Sequence, residues 1–496
     1  MQEEPDIRET KQRNPSSIIY YMTNHHFNFS FATGFRKIIY HRRHITVEEL
    51  AEHALKISRA KYVEVRIEKQ NRQDILLVNG VLRGAGTEEN YGFSIRVIDG
   101  GVGFYFSNIV SKEEIKEGVR KAEKMARIQK GNVGLSEEEM HCESYEIKGD
   151  FPDIDEKMEY LKEIDGVAKE HERTISYEEK IQEKLYMNSE GARIFSKIPR
   201  IYLYYLVTVA DEKIEQMHRE FGNTGGWEVA EEWRVEEHLR HDINFLKDLI
   251  KKGRKAPQRG DVILSPYITG LIAHESCGHP FEADRILGRE AAQAGKSYAT
   301  PDLIGKKIGN ECISIADDPT LPKSYGFYKY DDEGVKAGQR ILIKEGIVNE
   351  FLHNRETAHE MHAKSNASAR ATYGKEPIVR MANTYFMPGD YSLEEMMEEI
   401  KEGIYMKTFM EWNIDDMRIN QKYVGQEAYI IKNGEINGIA YHPAIEISTF
   451  DFYRKVDAAG KKLEFYPATC GKGEPMQGIE VSTGGVDLRL RDVAIK

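Results

Sequence analysis

The break at Ala256-Pro257-Gln258-Arg259-Gly260 does most to constrain how this chain can fold. Proline and glycine are the strongest local punctuation in a sequence, and the patterns on the two sides of this one differ. Before it, Glu228 to Lys255 is charged with apolar residues at helical spacing, which predicts a long amphipathic helix. After it, the chain is rich in strand and turn signals, with glycine turns at Glu345-Gly346 and Asn433-Gly434. The break is therefore read as a domain boundary. At roughly 100–200 residues per domain, the chain of 496 residues should hold about three domains.

Upstream, Thr46-Val47-Glu48-Glu49 is a capping box, in which each side chain satisfies a free backbone N–H. Leu50, Ala54, Leu55 and Ile57 give the helix that follows its apolar stripe. Tyr62 to Glu68 (YVEVRIE) alternates like a half-buried strand. Tyr91 to Asp99 and Gly103 to Ser107 read as two more strands, turning at Asp99-Gly100-Gly101. Ser111-Lys112-Glu113-Glu114 is a second capping box, opening a helix to about Ile128. Residues 46–130 thus form a helix–sheet–helix domain. Gly131 to Pro152 is polar and reads as a linker. Ile154 to Glu172 is helical by pattern, and strands run from Thr174 to Met217. Residues 150–256 form a middle α+β domain and residues 260–496 a strand-rich C-terminal domain, so the fold class is α+β. Residues 1–45 are an N-terminal extension with no assigned role, aromatic and basic from Ser16 to His44.

Hydrophobic residues make up 40% and charged residues 31%, enough apolar material for sizeable cores. The formal net charge of -12, without a basic stripe, argues against nucleic acid as a partner. The most apolar run, Ile201 to Ala210, is far short of the ~20 residues a membrane helix needs and reads as a buried strand, so no membrane partner is expected. No signal peptide is visible from Met1 to Pro15. The four cysteines, Cys142, Cys277, Cys312 and Cys470, are far apart and form no CxxC. Few thiols in a large chain fit a reducing, cytoplasmic compartment, where a cysteine is free to be a metal ligand.

Just past the break, Asp261 to Leu264 is a short strand. Ser265-Pro266 then marks a helix start, with an N-cap hydroxyl and proline at the first helical position. That helix carries His274-Glu275-Ser276-Cys277-Gly278-His279. Two imidazoles beside a carboxylate suit a hydrolytic zinc site, in which three protein ligands leave a position open for water. A carboxylate beside a ligand histidine can then take a proton from that water and pass it to a leaving amine. The histidines are five apart, not the four of HExxH, and on a regular helix they point about 140° apart. Both reach one metal only if the helix widens or ends between them. Gly278, which permits unusual backbone angles, and Pro280, which disfavours helical geometry at His279, predict a disrupted last turn. Cys277, three residues after His274, competes as a ligand on an undisturbed helix. HExxxH alone also arises by chance, as ordinary hydrogen-bonded histidines.

The stretch HESCGHPFEAD resembles the metal motif of the TldD type within the TldD/PmbA (TldE) peptidase family. The resemblance continues through Ile315-Ala316-Asp317-Asp318, Asp331-Asp332-Glu333-Gly334, Val379 to Tyr385 and Cys470-Gly471-Lys472, and it covers most of the chain from Thr46. It implies zinc held by His274, His279 and Cys470, with Glu275 as the catalytic carboxylate. Glu282 and Asp284 also match, as groups that could orient a histidine or as plain solvated acids. The companion PmbA/TldE type lacks the histidines, so the chain looks like the catalytic type. The resemblance implies hydrolysis of peptide bonds in unfolded or short peptides, and a homodimer or a heterodimer with a PmbA/TldE-like subunit. The competing reading is a non-catalytic binding or assembly subunit with a structural zinc, closed by a fourth ligand such as Cys277.

Other signals carry less. Gly295-Lys296-Ser297 lacks the earlier glycine of a phosphate loop, since Glu290 stands there. His353, His359 and His362 read as part of an amphipathic helix. Arg370, Tyr373 and Arg380 are candidates for holding a peptide carboxylate or an oxyanion, or for packing. Cys142 and Cys312 read as buried small hydrophobes.

Overall fold

The computed structural model describes residues 46–129, 131–290 and 296–496. The expected extension over residues 1–45 lies outside the described residues, as does Gly295. Helix α1 (Val47–Ile57) begins where Thr46 and Glu49 cap one another. Strands β1 (Tyr62–Val78), β2 (Val81–Ile98) and β3 (Val102–Ser107) follow, then α2 (Lys112–Ile128). Only half of the second capping box forms. Ser111 accepts the Glu114 N–H at 3.1 Å, but the Glu114 carboxylate takes the Tyr105 hydroxyl, and the Ser111 N–H goes to the Ile109 carbonyl.

The segment read as a linker contributes a strand, β4 (Cys142–Glu146). After α3 (Ile154–Val167), β5 (Glu172–Asn188), β6 (Arg193–Ala210) and β7 (Ile214–Thr224) complete a seven-stranded sheet. Its order is β3-β2-β1-β5-β6-β4, with β7 also paired to β6, and β4 is parallel to β6. One sheet thus draws strands from both the 46–130 and the 150–256 segments. Helices α1 and α2 cover the end carrying Val63, Val65, Phe93 and Ile95. The other end, with Tyr177, Leu203 and Tyr205, packs on α3 and α4 (Val235–Lys252). Helix α4 starts later than the sequence pattern predicts, because Arg234 takes a left-handed backbone (φ 50°) at its cap.

The alternating segment Tyr62–Glu68 is buried throughout rather than half-buried. Its charged face meets the C-terminal half of the chain. Arg96 bridges Glu64 at 2.8 Å and Glu333 at 2.6 Å, and Arg66 faces Asp332 at 3.5 Å. Buried charges are tolerated when paired in this way.

Beyond the break, β8 (Arg259–Leu264) sits inside a six-stranded sheet, parallel to Glu402–Met406 and antiparallel to Leu488–Ala494. A second six-stranded sheet ends in Asn383–Phe386, Gln477–Gly485 and, at its edge, Glu464–Lys472. The turns Glu345-Gly346 and Asn433-Gly434 have positive φ at both residues, the geometry of tight hairpins. Helix α5 (Pro266–Ala273) leaves β8 and lies on Gln477–Gly485. The approach is so close that a Cβ at Gly485 would sit 2.1 Å from Thr269 Oγ1. The architecture is α+β. Among the described residues, no helix is long and apolar enough to cross a membrane.

Candidate metal centre

Pro266 occupies the start of α5 as its sequence predicts, but Ser265 does not cap it. The Ser265 hydroxyl donates to the Lys407 carbonyl at 2.6 Å. One face of the helix, through Ile268, Ile272 and Cys277, is buried in the main apolar core. After Ala273 the helix widens into a π turn over His274–Gly278, closed by the His279 N–H on the His274 carbonyl at 3.0 Å. An i→i+5 bond stacks residues five apart, which is the widening that the histidine spacing demands. Two expectations need correction. His279 keeps right-handed helical angles (φ -60°, ψ -45°) despite Pro280, because its N–H closes the π turn. Gly278 does not take left-handed angles. What it supplies is room, since a Cβ there would lie 1.9 Å from Met381 Sδ.

The π turn brings the His274 and His279 rings to 4.8 Å between centroids, at 81° to each other. Strand Glu464–Lys472 places Cys470 Sγ 3.4 Å from His279 Nε2. The ligand atoms of His274, His279 and Cys470 all lie within 4.8 Å of one another, and each residue is 4–5% exposed. Among the described residues no other group of histidines, cysteines and acids clusters in this way. Cys277 is not part of the cluster. It is fully buried in the apolar core, where burial pushes its thiol well up.

Three donors converge on one carboxylate oxygen behind His279. Glu282 Oε2 lies 3.0 Å from His279 Nδ1, 2.6 Å from Arg285 Nε and 3.2 Å from Lys472 Nζ. Burial would raise the Glu282 carboxyl, but Lys472, His279 and Arg285 hold it well below the usual range. Asp284 does not reach the histidines. It accepts from Lys472 at 2.6 Å, and burial pushes its carboxyl up against that cation. Burial alone would likewise raise the Cys470 thiol, but the His279 and His274 imidazoles and the Arg380 guanidinium outweigh it and hold it well below its ordinary value. For His274, burial favours the neutral ring, and Cys470, Glu275 and Glu282 reverse that and raise its pKa. Glu275, 6% exposed, is ion-paired with Arg418.

This donor set fits a zinc ion. It offers two imidazoles and a thiol whose pKa is held down by its neighbours, close together and shielded from water. The buried His274 Nδ1 has no hydrogen-bond partner among the described residues.

The remaining candidates lie elsewhere. His353 is buried against Thr357 Oγ1 at 3.2 Å, and burial lowers its pKa to about 4. His359 sits on helix Arg355–Glu360, and His362 lies just past its end. Arg370 donates to the Met381 carbonyl and Tyr373 to Asn108. Arg380 straps the Cys470 hairpin, donating to the Cys470 and Gln477 carbonyls. Cys142 is exposed, not buried, because it lies on the edge strand β4. Three residues at the site, Arg285, Lys472 and Arg418, drew no role from sequence reasoning. Lys472 had a signal, since a strand puts it on the same face as Cys470. Arg418, far from the motif in a turn, had none.

An α+β chain with two histidines on a π turn facing a strand cysteine has the make-up of a metal-binding protein. Comparison with known proteins supplies the family. Residues 63–126 match PmbA/TldA metallopeptidase domain 1, residues 148–257 the central domain and residues 257–496 the C-terminal domain. A metalloprotease of Methanocaldococcus jannaschii is 32% identical over 86% of this chain and 95% of its own length. A metalloprotease of Methanothermobacter thermautotrophicus is 30% identical over 88% and 96%. A zinc metalloprotease TldD homolog of Saccharolobus solfataricus is 29% identical over 65% and 70%. TldE from Thermococcus kodakarensis shares the fold at a TM-score of 0.70 and 18% identity, over 90% of this chain and 99% of that one. The chain belongs to the PmbA/TldD metallopeptidase family.

Proposed function

We propose that this protein is a zinc-dependent peptidase of the TldD type, with the metal held by His274, His279 and Cys470. The convergence of those three side chains carries the reading. Zinc in such a site supplies Lewis acidity and acidifies water. Glu275 then acts as general base toward the attacking water and returns the proton to the leaving amine. Glu282 fixes the ring of His279 by accepting from Nδ1, the usual arrangement for a ligand histidine. Three donors, with no fourth clustered beside them among the described residues, favour an open catalytic position over a closed structural one, and the burial of Cys277 in the core supports this.

The substrates are unfolded or short peptides bound in extended form. The working unit is a cytoplasmic dimer, with itself or with a PmbA/TldE-like subunit. The name metalloprotease borne by the relatives supports a peptide substrate, and the TldE name of the Thermococcus protein supports a TldE-like partner. We place the functional domains at residues 46–130, 150–256 and 260–496. The test is metal analysis of the purified protein together with cleavage of an unfolded polypeptide, with and without a chelator. Glu275→Ala should keep zinc and lose cleavage. Wild-type cleavage rates in that variant would refute the assignment.

A further inference from the structure

We infer that Arg418 is a positioning residue for Glu275, aiming its carboxylate from a turn remote in sequence from the metal motif. Arg418 lies between strands Phe409–Ile414 and Asn420–Gly425, in a turn whose neighbour Met417 is 38% exposed. Its own side chain points inward, is 8% exposed and pairs with Glu275 Oε2.

The turn is built to deliver it. Asp415 Oδ1 accepts from the Ile419 N–H at 2.9 Å, and Oδ2 accepts from the Asn420 N–H at 3.0 Å and Nδ2 at 2.7 Å. The Arg418 N–H donates to the Asp415 carbonyl at 2.9 Å, and Thr449 Oγ1 donates to the Arg418 carbonyl at 2.8 Å. Arg418 has a left-handed backbone, φ 62°, and its buried Nε has no hydrogen-bond partner among the described residues. Both are costly, and strained residues of this kind persist where the surroundings over-determine them, often at active sites. The same hairpin grips the next residue of the π turn. Ser276 Oγ donates to Gln421 Oε1 at 2.8 Å, and Tyr423 OH reaches that oxygen at 2.9 Å. Glu275 and Ser276 are thus held from one side by one hairpin, while the histidines face Cys470.

This inference rests on Glu275 being the base. In the zinc-loaded full chain acting on a short fluorogenic peptide, Arg418→Gln should lower kcat about 10–100-fold, the loss expected from a small misplacement of a reacting group. KM should stay within about twofold, because the group is used in the transition state and not in binding. Zinc affinity should stay within about threefold of wild type, well short of the 10–100-fold loss on removing a ligand's support. Arg418→Lys should recover much of kcat, because it keeps the positive charge. Should Arg418→Gln fail to fold, Thr449→Val perturbs the same turn more gently and should give a smaller kcat loss at unchanged zinc affinity. Unchanged kcat, or zinc affinity falling in step with kcat, overturns the inference. If zinc-loaded wild type cleaves no peptide, the reading of Glu275 as base fails on its own. A crystal structure of Arg418→Gln then decides this one, and a Glu275 carboxylate still in its wild-type place overturns it.

Discussion

Replacing Glu282 with glutamine separates two jobs that one carboxylate performs. The side chain is fully buried, and its Oε2 meets His279, Arg285 and Lys472. Glutamine keeps the shape and one acceptor but removes the negative charge. Breaking a buried ion pair from one side costs about 3–5 kcal/mol. Lys472 keeps Asp284 at 2.6 Å and the Val379 carbonyl at 2.8 Å, so the lower end, about 3 kcal/mol, is expected. In the zinc-free protein this should appear as a fall of a few degrees in Tm. The second job is orienting His279, and losing such a carboxylate costs about 10–100-fold in metal affinity. Zinc affinity, measured by competition with a chelating dye, reads that term apart from stability. If Glu282→Gln lowers the zinc-free Tm but leaves zinc affinity within about threefold, well under that loss, the carboxylate supports only the charge network and the orienting role is wrong.

Further outcomes can be measured alongside. Zinc should raise the Tm of wild type but not of Cys470→Ser, since a ligand binding only the folded state adds about 4 kcal/mol at a thousand times its Kd; equal shifts in both would remove Cys470 from the ligand set. Gly278→Ala must displace Met381, at a cost of about 1–3 kcal/mol, and should reduce bound zinc in metal analysis; full occupancy would mean that the π turn absorbs the methyl. Burial raises the Glu220 carboxyl to about 6, against the Tyr202 hydroxyl that it accepts at 3.0 Å. The folded state therefore holds that proton over a range where the unfolded chain has lost it, and stability falls as pH rises from about 4.5 to 6. Glu220→Gln should then stabilise by up to about 2 kcal/mol at pH 8 and change little at pH 4, read from urea unfolding at both; a gain of equal size at pH 4 would contradict that origin.

The elements visible in the sequence are those set by local rules. The Thr46–Glu49 box, the glycine hairpins and the proline start of α5 all need only neighbours in the chain. The misreadings have non-local causes. The alternation at Tyr62–Glu68 says which side chains share a face, but not that Arg96, Glu333 and Asp332 would cover the charged one. The strand at Cys142–Glu146 has polar, exposed residues because it is an edge strand, and its only apolar anchor is Tyr145 among Tyr186, Ile194 and Tyr330. At the site, five-residue spacing required a widened helix and the π turn supplies it, but Gly278 and Pro280 act otherwise than their backbone preferences suggest.

Cys470 is the member of the cluster that no local pattern could supply, and the fold explains why it reaches the histidines. It lies opposite Ile479 on the neighbouring strand, and Arg380 straps the carbonyls of Cys470 and Gln477. That neighbouring strand is also the one against which α5 lies, down to the Thr269–Gly485 approach. A single strand therefore sets the height of both the π turn and the thiol. A substitution that lifts α5 off Gly485 should separate the sulfur from the imidazoles while leaving all three side chains chemically intact. The site is thus a property of sheet registry as much as of the His274–His279 motif.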